Sequence, residues 1–167
     1  MTRPIYSPAT IRDLLERHGF RFSKSLGQNF LIDGNIIEKI LQRAQVEDEN
    51  ILEIGPGFGV LSKSLAQRGK KLLLVELDKS LEPVLEEVLE EEREKVRIIF
   101  SDALKIDLQK ELRETFGEEK AIVVANLPYY VTTPILARLL EEDLPVKSIT
   151  VMVQKEVARR MVAKAGT

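Results

Sequence analysis

The strongest constraint on the fold is a repeated alternation of short apolar runs with segments that carry the marks of a helix. Each apolar run is five or six residues long, the usual length of a strand. Repeated strand–helix units predict an α/β fold with a mostly parallel sheet and helices on both faces, because each crossover lays its helix against the sheet. The predicted strands are 50–54, 71–76, 96–100, 121–125 and 148–153.

Two helices are predicted before the first strand. Ser7 can cap a helix that has Pro8 at its first position and ends near His18, and Asp33 can cap a second helix that reaches Ala44. Between them, 20–30 is predicted to be a basic, glycine-containing loop.

Helices are also predicted between and after the strands. The segment 77–89 has apolar residues from Leu77 onward at helical spacing, and its glutamates are expected on the solvent-facing side. Asp78 is expected to cap this helix, and Thr133, followed by Pro134, to cap a later one. The predicted helices are 59–68, 77–89, 107–116, 133–140 and 154–164.

Composition narrows the class of protein. A chain of 167 residues with 44% hydrophobic and 31% charged residues can form one domain with a core. It has no apolar run long enough for a membrane span, no apolar amino-terminal stretch typical of a signal peptide, and no cysteine. His18 is the single histidine, which excludes a histidine-rich metal centre. We expect a cytoplasmic protein without a metal site or a membrane partner.

Charge is unevenly distributed although the net charge is only −2. Basic residues are concentrated in 1–30 and again in 155–164, whereas 82–94 holds seven glutamates. Local basic surfaces can bind phosphate even when a protein is acidic overall. Charge alone does not separate such surfaces from ordinary solvated ones.

A glycine-rich segment follows the first predicted strand. Gly55, Gly57 and Gly59 allow a tight turn and let a ligand approach the backbone. The dinucleotide fingerprint needs a sixth-position glycine, and that position is Val60 here. The segment therefore fits a nucleoside with an amino-acid moiety better than a pyrophosphate, and an ordinary structural turn is the alternative.

An acidic residue follows each of the next two strands. Glu76 ends the second strand and could accept hydrogen bonds from both hydroxyls of a ribose. Because Asp78 is expected to cap the next helix, Glu76 should be free for the ligand. Asp102 follows the third strand and could accept a hydrogen bond from an adenine amine, although an aspartate here is more often a turn or cap residue.

The tetrad Asn126-Leu127-Pro128-Tyr129 follows the fourth strand. An aromatic amine is a poor nucleophile because its lone pair is delocalised into the ring. The Asn126 side-chain oxygen and a backbone carbonyl could hold such an amine toward an electrophile, and Tyr129 could stack on its ring. The tetrad is the predicted catalytic centre, and an ordinary exit from a strand is the alternative.

Together these motifs resemble those of one family in order and spacing. The matching segments are Lys24-Ser25-Leu26-Gly27-Gln28-Asn29-Phe30-Leu31, the glycine loop 53–59, Glu76-Leu77-Asp78, Asp102-Ala103, the tetrad with Thr133-Pro134, and Gln154-Lys155-Glu156-Val157-Ala158. The series resembles the small-subunit ribosomal RNA adenine dimethyltransferases, the kasugamycin-sensitivity enzymes, over nearly all of the chain from Phe22 onward.

The resemblance implies a Rossmann-like class I methyltransferase domain over 1–167, in which 1–32 forms the amino-terminal helix and basic loop. It implies S-adenosylmethionine as methyl donor, S-adenosylhomocysteine as product, and dimethylation of two adjacent adenines near the 3′ end of small-subunit rRNA. The small ribosomal particle would be the partner, bound by a protein that is a monomer at full length. The implied cofactor-binding residues are Gln28, Asn29, Leu31, Gly55, Gly57, Glu76, Asp102 and Asn126, and the implied RNA contacts are Arg21, Lys24, Lys155, Arg159 and Arg160.

Other functions are weighed against this one. The erythromycin-resistance methyltransferases act on large-subunit RNA, but Gly27, Leu127 and Thr133 favour the small-subunit family. A DNA adenine methyltransferase would be expected to have a tetrad with two prolines, and Val60 argues against a dehydrogenase. A ribosome-assembly or RNA-binding factor that needs no catalysis is the alternative from another class.

The resemblance also implies more chain than the 167 residues present. Family members continue with two more strands and a small helical domain, which supplies a second aromatic against the target base. We therefore expect this chain to hold the nucleoside but to methylate RNA poorly, and we expect its fifth strand to lie at an edge of the sheet.

Overall fold

The computed structural model describes residues 5–21, 33–127 and 132–166. The strands in this part of the chain are β1 (Asn50–Ile54), β2 (Lys71–Glu76), β3 (Val96–Phe100), β4 (Ala121–Asn126) and β5 (Val146–Met152). They form one sheet in the order β3-β2-β1-β4-β5, and every neighbouring pair is parallel. The predicted α/β class and parallel sheet are confirmed, and β5 lies at an edge of the described sheet.

The chain changes direction across the sheet at β1. From β1 it moves outward to β2 and β3, and it then returns to place β4 on the other side of β1. In open parallel sheets, ligands bind beyond the carboxyl ends of the strands at such a switch point. The register pairs Glu53 with Val124, so Gly55 and Asn126, each two residues further on, leave the sheet at the same level.

Four helices cover the first face of the sheet. They bury residues such as Leu15, Leu41, Leu65 and Leu85 in one core cluster with side chains of β1, β2 and β4. These helices are α1 (Pro8–Arg17), α2 (Gly34–Ala44), α3 (Val60–Arg68) and α4 (Glu82–Val88).

Two helices, α5 (Leu108–Phe116) and α6 (Thr132–Glu141), cover the second face. Leu112 of α5 and Leu139 of α6 join the second core cluster with the opposite side chains of the strands, so helices lie on both faces as predicted. A last helix, α7 (Lys155–Val162), follows β5 and buries none of its own residues in the described structure. None of the helices in the described ranges is both long and apolar enough to span a bilayer.

The predicted caps at Ser7 and Asp33 are confirmed, whereas Asp78 caps a 3₁₀ turn at Lys79–Leu81 rather than the predicted helix. The Ser7 hydroxyl accepts from the backbone N–H of Thr10 at 3.2 Å, and the Asp33 carboxylate accepts from that of Asn35 at 2.8 Å. The Asp78 carboxylate accepts from the Ser80 N–H at 2.9 Å. Each cap satisfies one of the amide hydrogens that the first turn leaves without a helical partner.

The single helix predicted over 77–89 is wrong. The structure has a 3₁₀ turn at Lys79–Leu81, the seven-residue α4, and a second 3₁₀ segment at Glu90–Lys95. Pro83 lies in the first turn of α4, where its missing N–H costs nothing, and this position favours a new helix start. Leu77, expected on the buried side, is 72% exposed, whereas most of the glutamates of 82–94 face solvent as expected.

Several smaller boundaries also differ. α6 begins at Thr132, so Thr133 lies within its first turn rather than at the cap. β5 begins at Val146, two residues before the prediction, because exposed Lys147 extends an edge strand without adding apolar character. α3 begins at Val60, with Gly59 as its N-cap.

Candidate active site

The loop after β1 carries three glycines in the left-handed region. Gly55, Gly57 and Gly59 have φ values of 73°, 59° and 81°, which other residues rarely adopt. A Cβ on Gly59 would lie 3.1 Å from the Leu85 Cδ2 atom, so this glycine lets α3 begin close against α4. A Cβ on Gly55 would meet no atom within 4 Å. Gly59 therefore serves packing, whereas Gly55 borders open space where a ligand can approach the backbone.

The Glu76 side chain is held against this glycine loop. Its Oε2 atom accepts from the Gly57 N–H at 3.0 Å, and its Oε1 atom accepts from the Asp78 N–H at 3.0 Å. Glu76 therefore has local partners, because the loop after β1 closes over the end of β2, and its contact with a ligand stays a prediction. A carboxylate oxygen can accept two hydrogen bonds, so the side chain is oriented and still has capacity for ribose hydroxyls.

Asp102 forms a compact turn after β3. Its Oδ1 atom accepts from the Leu104 N–H at 2.9 Å, and its backbone carbonyl accepts from the N–H groups of Lys105 and Ile106. The structure therefore shows the turn function that is the common one for such an aspartate. Asp102 is half-buried at the same edge of the sheet as Glu76, and its contact with an adenine stays a prediction.

The first half of the tetrad lies at the end of β4. Asn126 is the last residue of the strand, pairs with Met152 of β5, and is half-buried. Leu127 is buried in the second core cluster, so it anchors the backbone next to Asn126. Pro128 and Tyr129 lie outside the described residues.

A buried carboxyl group lies beneath the glycine loop. Glu53 is 2% exposed, and the Ser62 hydroxyl of α3 donates to its Oε2 atom at 2.5 Å. Burial, together with the nearby Glu76 carboxylate, raises the pKa of Glu53 to about 8, although the Ser62 hydrogen bond acts in the opposite direction. At neutral pH Glu53 is therefore mainly protonated.

Two exposed leucines flank the acidic residues and were not singled out from the sequence. Leu77 follows Glu76 directly and is 72% exposed, and Leu104, two residues after Asp102, is 41% exposed. Large apolar side chains beside polar groups are typical of pockets that hold a planar ring. Their sequence signal is weak, because Leu77 equally fits the helical spacing of 77–89.

The basic residues predicted to contact RNA lie away from the core. Lys155, Arg159 and Arg160 are exposed on α7, and Arg21 is exposed after α1. The Arg160 guanidinium lies 3.8 Å from the Glu156 carboxylate one turn earlier. These cationic groups are therefore accessible to solvent, and their contact with RNA phosphates stays a prediction. The predicted residues Lys24, Gln28, Asn29 and Leu31 lie outside the described residues.

Two open clefts in the described structure, of about 560 and 510 Å³, lie elsewhere. The first is lined by α4, the 3₁₀ segment after it and β3, and the second mainly by α1 with the residues before it and by α3. No strand-end residue of the glycine loop, Glu76, Asp102 or Asn126 borders them. The site assignment rests instead on the chemistry gathered at the carboxyl ends of the strands. The described residues also contain no group of three or more metal-ligating side chains.

The residues at this edge fit a nucleoside cofactor. Gly55 leaves open backbone, Glu76 presents an oriented carboxylate, and Leu77 and Leu104 present apolar surface next to Asp102. The switch point between β1 and β4 brings Asn126 to the same edge. A doubly wound sheet with this site defines the class of Rossmann-like methyltransferase domains.

Comparisons with known proteins identify the family. The model of the ribosomal RNA adenine dimethylases matches residues 19–167. The chain is 50% identical to the ribosomal RNA small subunit methyltransferase A of Geobacillus sp. (strain WCH70), over all of this chain and 58% of that protein. The chain belongs to the ribosomal RNA adenine dimethylase family, and it spans less than three fifths of this relative's length.

Two solved structures share the fold and part of the sequence. A dimethyladenosine transferase from Plasmodium falciparum has a TM-score of 0.67 and 26% identity, covering 81% of this chain and 46% of that one. The 23S rRNA methyltransferase ErmE has a TM-score of 0.65 and 27% identity, covering 76% of this chain and 48% of that one. The higher identity to the small-subunit relative supports the resemblance to the small-subunit enzymes over the large-subunit ones.

Proposed function

We propose that this protein, at its full natural length, dimethylates the 6-amino groups of two adjacent adenines near the 3′ end of small-subunit rRNA. S-adenosylmethionine is the methyl donor and S-adenosylhomocysteine the product. The substrate is the rRNA within the small ribosomal particle, bound by a monomeric protein in the cytoplasm, and the modification is a step in small-subunit biogenesis.

One observation carries this proposal. The loop after β1 and Asn126, the last residue of β4, lie side by side at the switch point of the sheet. The loop has open backbone at Gly55, and the Asn126 side chain has an amide oxygen that can accept hydrogen bonds from an amine. A site for a nucleoside cofactor and a site for an aromatic amine therefore adjoin.

Each strand end has a separate task in holding the cofactor. Glu76, oriented by the Gly57 and Asp78 N–H groups, accepts hydrogen bonds from the ribose hydroxyls. Asp102 accepts from the adenine amine of the cofactor, and Leu77 with Leu104 packs on its ring. Gln28, Asn29 and Leu31 complete this site by the family resemblance. The bound cofactor supplies a methyl group on a positively charged sulfur.

The tetrad orients the target adenine. The Asn126 side-chain oxygen and a backbone carbonyl of the tetrad accept hydrogens from the 6-amino group, which turns the nitrogen lone pair toward the methyl group. By the family resemblance Pro128 fixes the backbone and Tyr129 stacks on the base. Catalysis then comes mainly from orientation, which can supply several kcal/mol of the barrier reduction.

The basic surfaces bring RNA to this site. Arg21, Lys24 and the exposed Lys155, Arg159 and Arg160 bind phosphates, whose contribution to affinity falls steeply as salt is raised. The target adenine must leave its stack to enter the pocket, because its amine is inaccessible inside a stacked helix.

Replacing Asn126 by Ala in the protein at full natural length tests the proposal. Transfer of labelled methyl groups to rRNA in small ribosomal particles should fall by a factor of a thousand or more, about 4 kcal/mol in the barrier. Binding to the particle, measured by co-sedimentation, should change by less than about twofold, because the phosphate contacts are untouched.

A matched control is Asn35→Ala on α2, outside the proposed site, which should keep its activity. Methylation that survives Asn126→Ala would remove the tetrad from the catalytic centre. Label that appears in large-subunit RNA would favour the erythromycin-resistance function. Particle binding by an unsubstituted protein that transfers no label would favour a non-catalytic assembly factor.

A further inference from the structure

Arg138 joins two parts of the site that are far apart in sequence. From α6 its Nη2 atom donates to the Ile106 carbonyl at 2.5 Å, and its Nη1 atom donates to the Ala103 carbonyl. Its Nε atom donates at 2.6 Å to the carboxylate of Glu142, the residue that directly follows α6. The Arg138 side chain is 15% exposed, so these contacts are mostly shielded from water.

The two carbonyls belong to the turn that carries Asp102. Ala103 and Ile106 lie near either end of it, and the backbone carbonyl of Asp102 already accepts from the Ile106 N–H. The turn is therefore stabilised by two sets of hydrogen bonds. The Arg138 guanidinium donates to its carbonyls from α6, and the Asp102 carboxylate and carbonyl accept from N–H groups within the turn. With both sets of contacts, the turn is fixed relative to α6 as well as internally.

The other partner, α6, begins three residues after Tyr129, the last residue of the tetrad. β3 and β4 are separated in the sheet by β2 and β1, so the Asp102 turn and the tetrad are not strand neighbours. Arg138 connects the Asp102 turn to α6 on the second face of the sheet. This contact relates the position of Asp102 to the helix that follows Asn126.

We propose that Arg138 is a positioning residue that holds Asp102 at the adenine end of the cofactor. The inference rests on the proposed function, since it assigns the adenine amine to Asp102. Arg138 does not touch the cofactor or the target base, and its effect passes through the backbone of the turn.

Only arginine suits this task among the cationic residues. Its planar guanidinium presents several N–H groups in a rigid fork, which can reach two carbonyls and a carboxylate at once. A lysine would keep the charge and most of the stem but would concentrate its donors at one point. Arg138→Lys is therefore a conservative variant that should fold and yet loosen the turn.

The test measures the affinity of the full-length protein for two probes by calorimetry. S-adenosylhomocysteine carries the 6-amino group that Asp102 would accept from, and S-inosylhomocysteine lacks it. The unsubstituted protein should prefer the first by about tenfold, since one buried hydrogen bond is lost with the second. Arg138→Lys should lower the affinity for S-adenosylhomocysteine about fivefold and should change the affinity for S-inosylhomocysteine by less than about twofold.

Two further variants separate positioning from general stability. Glu142→Gln weakens the contact at Nε but keeps the fork to the carbonyls, so its affinities should stay within about twofold of the unsubstituted protein. In an Asp102→Ala background, Arg138→Lys should cause no further loss of affinity for S-adenosylhomocysteine, because it acts through the residue already removed.

The outcomes distinguish this inference from the proposed function. Absence of S-adenosylhomocysteine binding by the unsubstituted protein would contradict the proposed function itself. Normal binding with an undiminished preference over S-inosylhomocysteine in Arg138→Lys would overturn only the inference. Equal weakening of both probes, or additive losses in the double variant, would also overturn it by showing a general structural effect.

Discussion

The strands of the sheet have polar residues at both of their ends, which are called here the amino edge and the carboxyl edge. The contacts that these polar residues make differ between the two. At the amino edge, where the strands begin, side chains pair with side chains: Lys70 Nζ donates to Glu119 at 2.9 Å, and Lys147 lies 2.6 Å from Glu49. At the carboxyl edge, the carboxylate of Glu76 accepts instead from backbone N–H groups. At the amino edge the charged side chains neutralise one another, whereas at the carboxyl edge backbone N–H groups orient the Glu76 carboxylate.

This difference is the reason for assigning the proposed site to the carboxyl edge. At the amino edge, Lys70 and then the Asn50 amide hold the pKa of Glu119 below its usual range, so its charge is already satisfied. At the carboxyl edge, Gly55 opens onto space and the acidic residues keep acceptor capacity. The presence of polar residues alone therefore does not identify a binding site. The partners that those residues already have are more informative.

The largest expected effect lies beneath the carboxyl edge, at Glu53. Its pKa is raised from 4.5 to about 8, so between these values the folded state holds a proton that the unfolded state has released. The contribution of Glu53 to the free energy of unfolding is therefore fully present below pH 4.5 and is lost as the pH rises through 8. The total loss is a few kcal/mol. Urea unfolding at about pH 6 and about pH 9 should show this loss.

Glu53→Gln is the matched variant, because its amide oxygen can still accept from Ser62 and it does not titrate. Its unfolding free energy should be nearly constant over that range and should exceed that of the unsubstituted protein at the higher pH. A variant with the same pH dependence as the unsubstituted protein would show that another group causes the loss.

The second effect concerns the oriented carboxylate. Glu76→Ala should weaken S-adenosylhomocysteine binding roughly thirtyfold, because charge-assisted hydrogen bonds contribute about 2 kcal/mol. Glu119→Ala at the amino edge is the control, with affinity expected to stay within about twofold. Calorimetric titration of both variants compares the edges directly, and equal losses would remove the distinction between them.

The third effect separates packing from ligand approach within one loop. Gly59→Ala combines a left-handed φ with a Cβ 3.1 Å from Leu85, so it should lower the unfolding free energy by about 2 kcal/mol. Gly55→Ala has the φ penalty of about 1 kcal/mol without crowding, but its Cβ enters the space assigned to the cofactor. Gly55→Ala should therefore lose less stability and more affinity, and the reverse order would contradict the assignment.

The smallest effect is expected at the amino edge. Lys147→Met removes the pair with Glu49, in which both side chains are partly exposed, and should cost about 0.5 kcal/mol or less. Most of that small loss should disappear in 1 M salt, and S-adenosylhomocysteine affinity should not change. Thermal unfolding at two salt concentrations measures the first expectation; a large, salt-independent loss would mean that this edge has a structural function beyond ion pairing.

Local sequence patterns were sufficient for most of the fold. The strands were found because their apolar runs are short and bounded, and the caps because Ser7, Asp33 and Asp78 act on residues two or three positions away. The prediction of one helix over 77–89 was wrong because the spacing of apolar residues does not show that a new helix begins at Pro83. Exposed residues at the start of β5 were missed for a similar reason, since edge strands need no apolar side chains.

The candidate site was only partly accessible from sequence. The residue types at the strand ends were found, but their partners depend on how distant segments meet. The Gly57 N–H reaches Glu76 across 19 residues, and Arg138 reaches Ala103 across 35. The pKa of Glu53 likewise depends on burial under α3, which no local pattern shows.

We propose that the carboxyl edge, not the amino edge, binds the cofactor. Titration of ¹⁵N-labelled protein with S-adenosylhomocysteine tests this proposal through the backbone amide shifts. We expect shifts at Gly55, Gly57, Asp78 and Leu104, with Lys70 and Lys147 unchanged. Shifts confined to the amino edge, or spread equally over both edges, would contradict it.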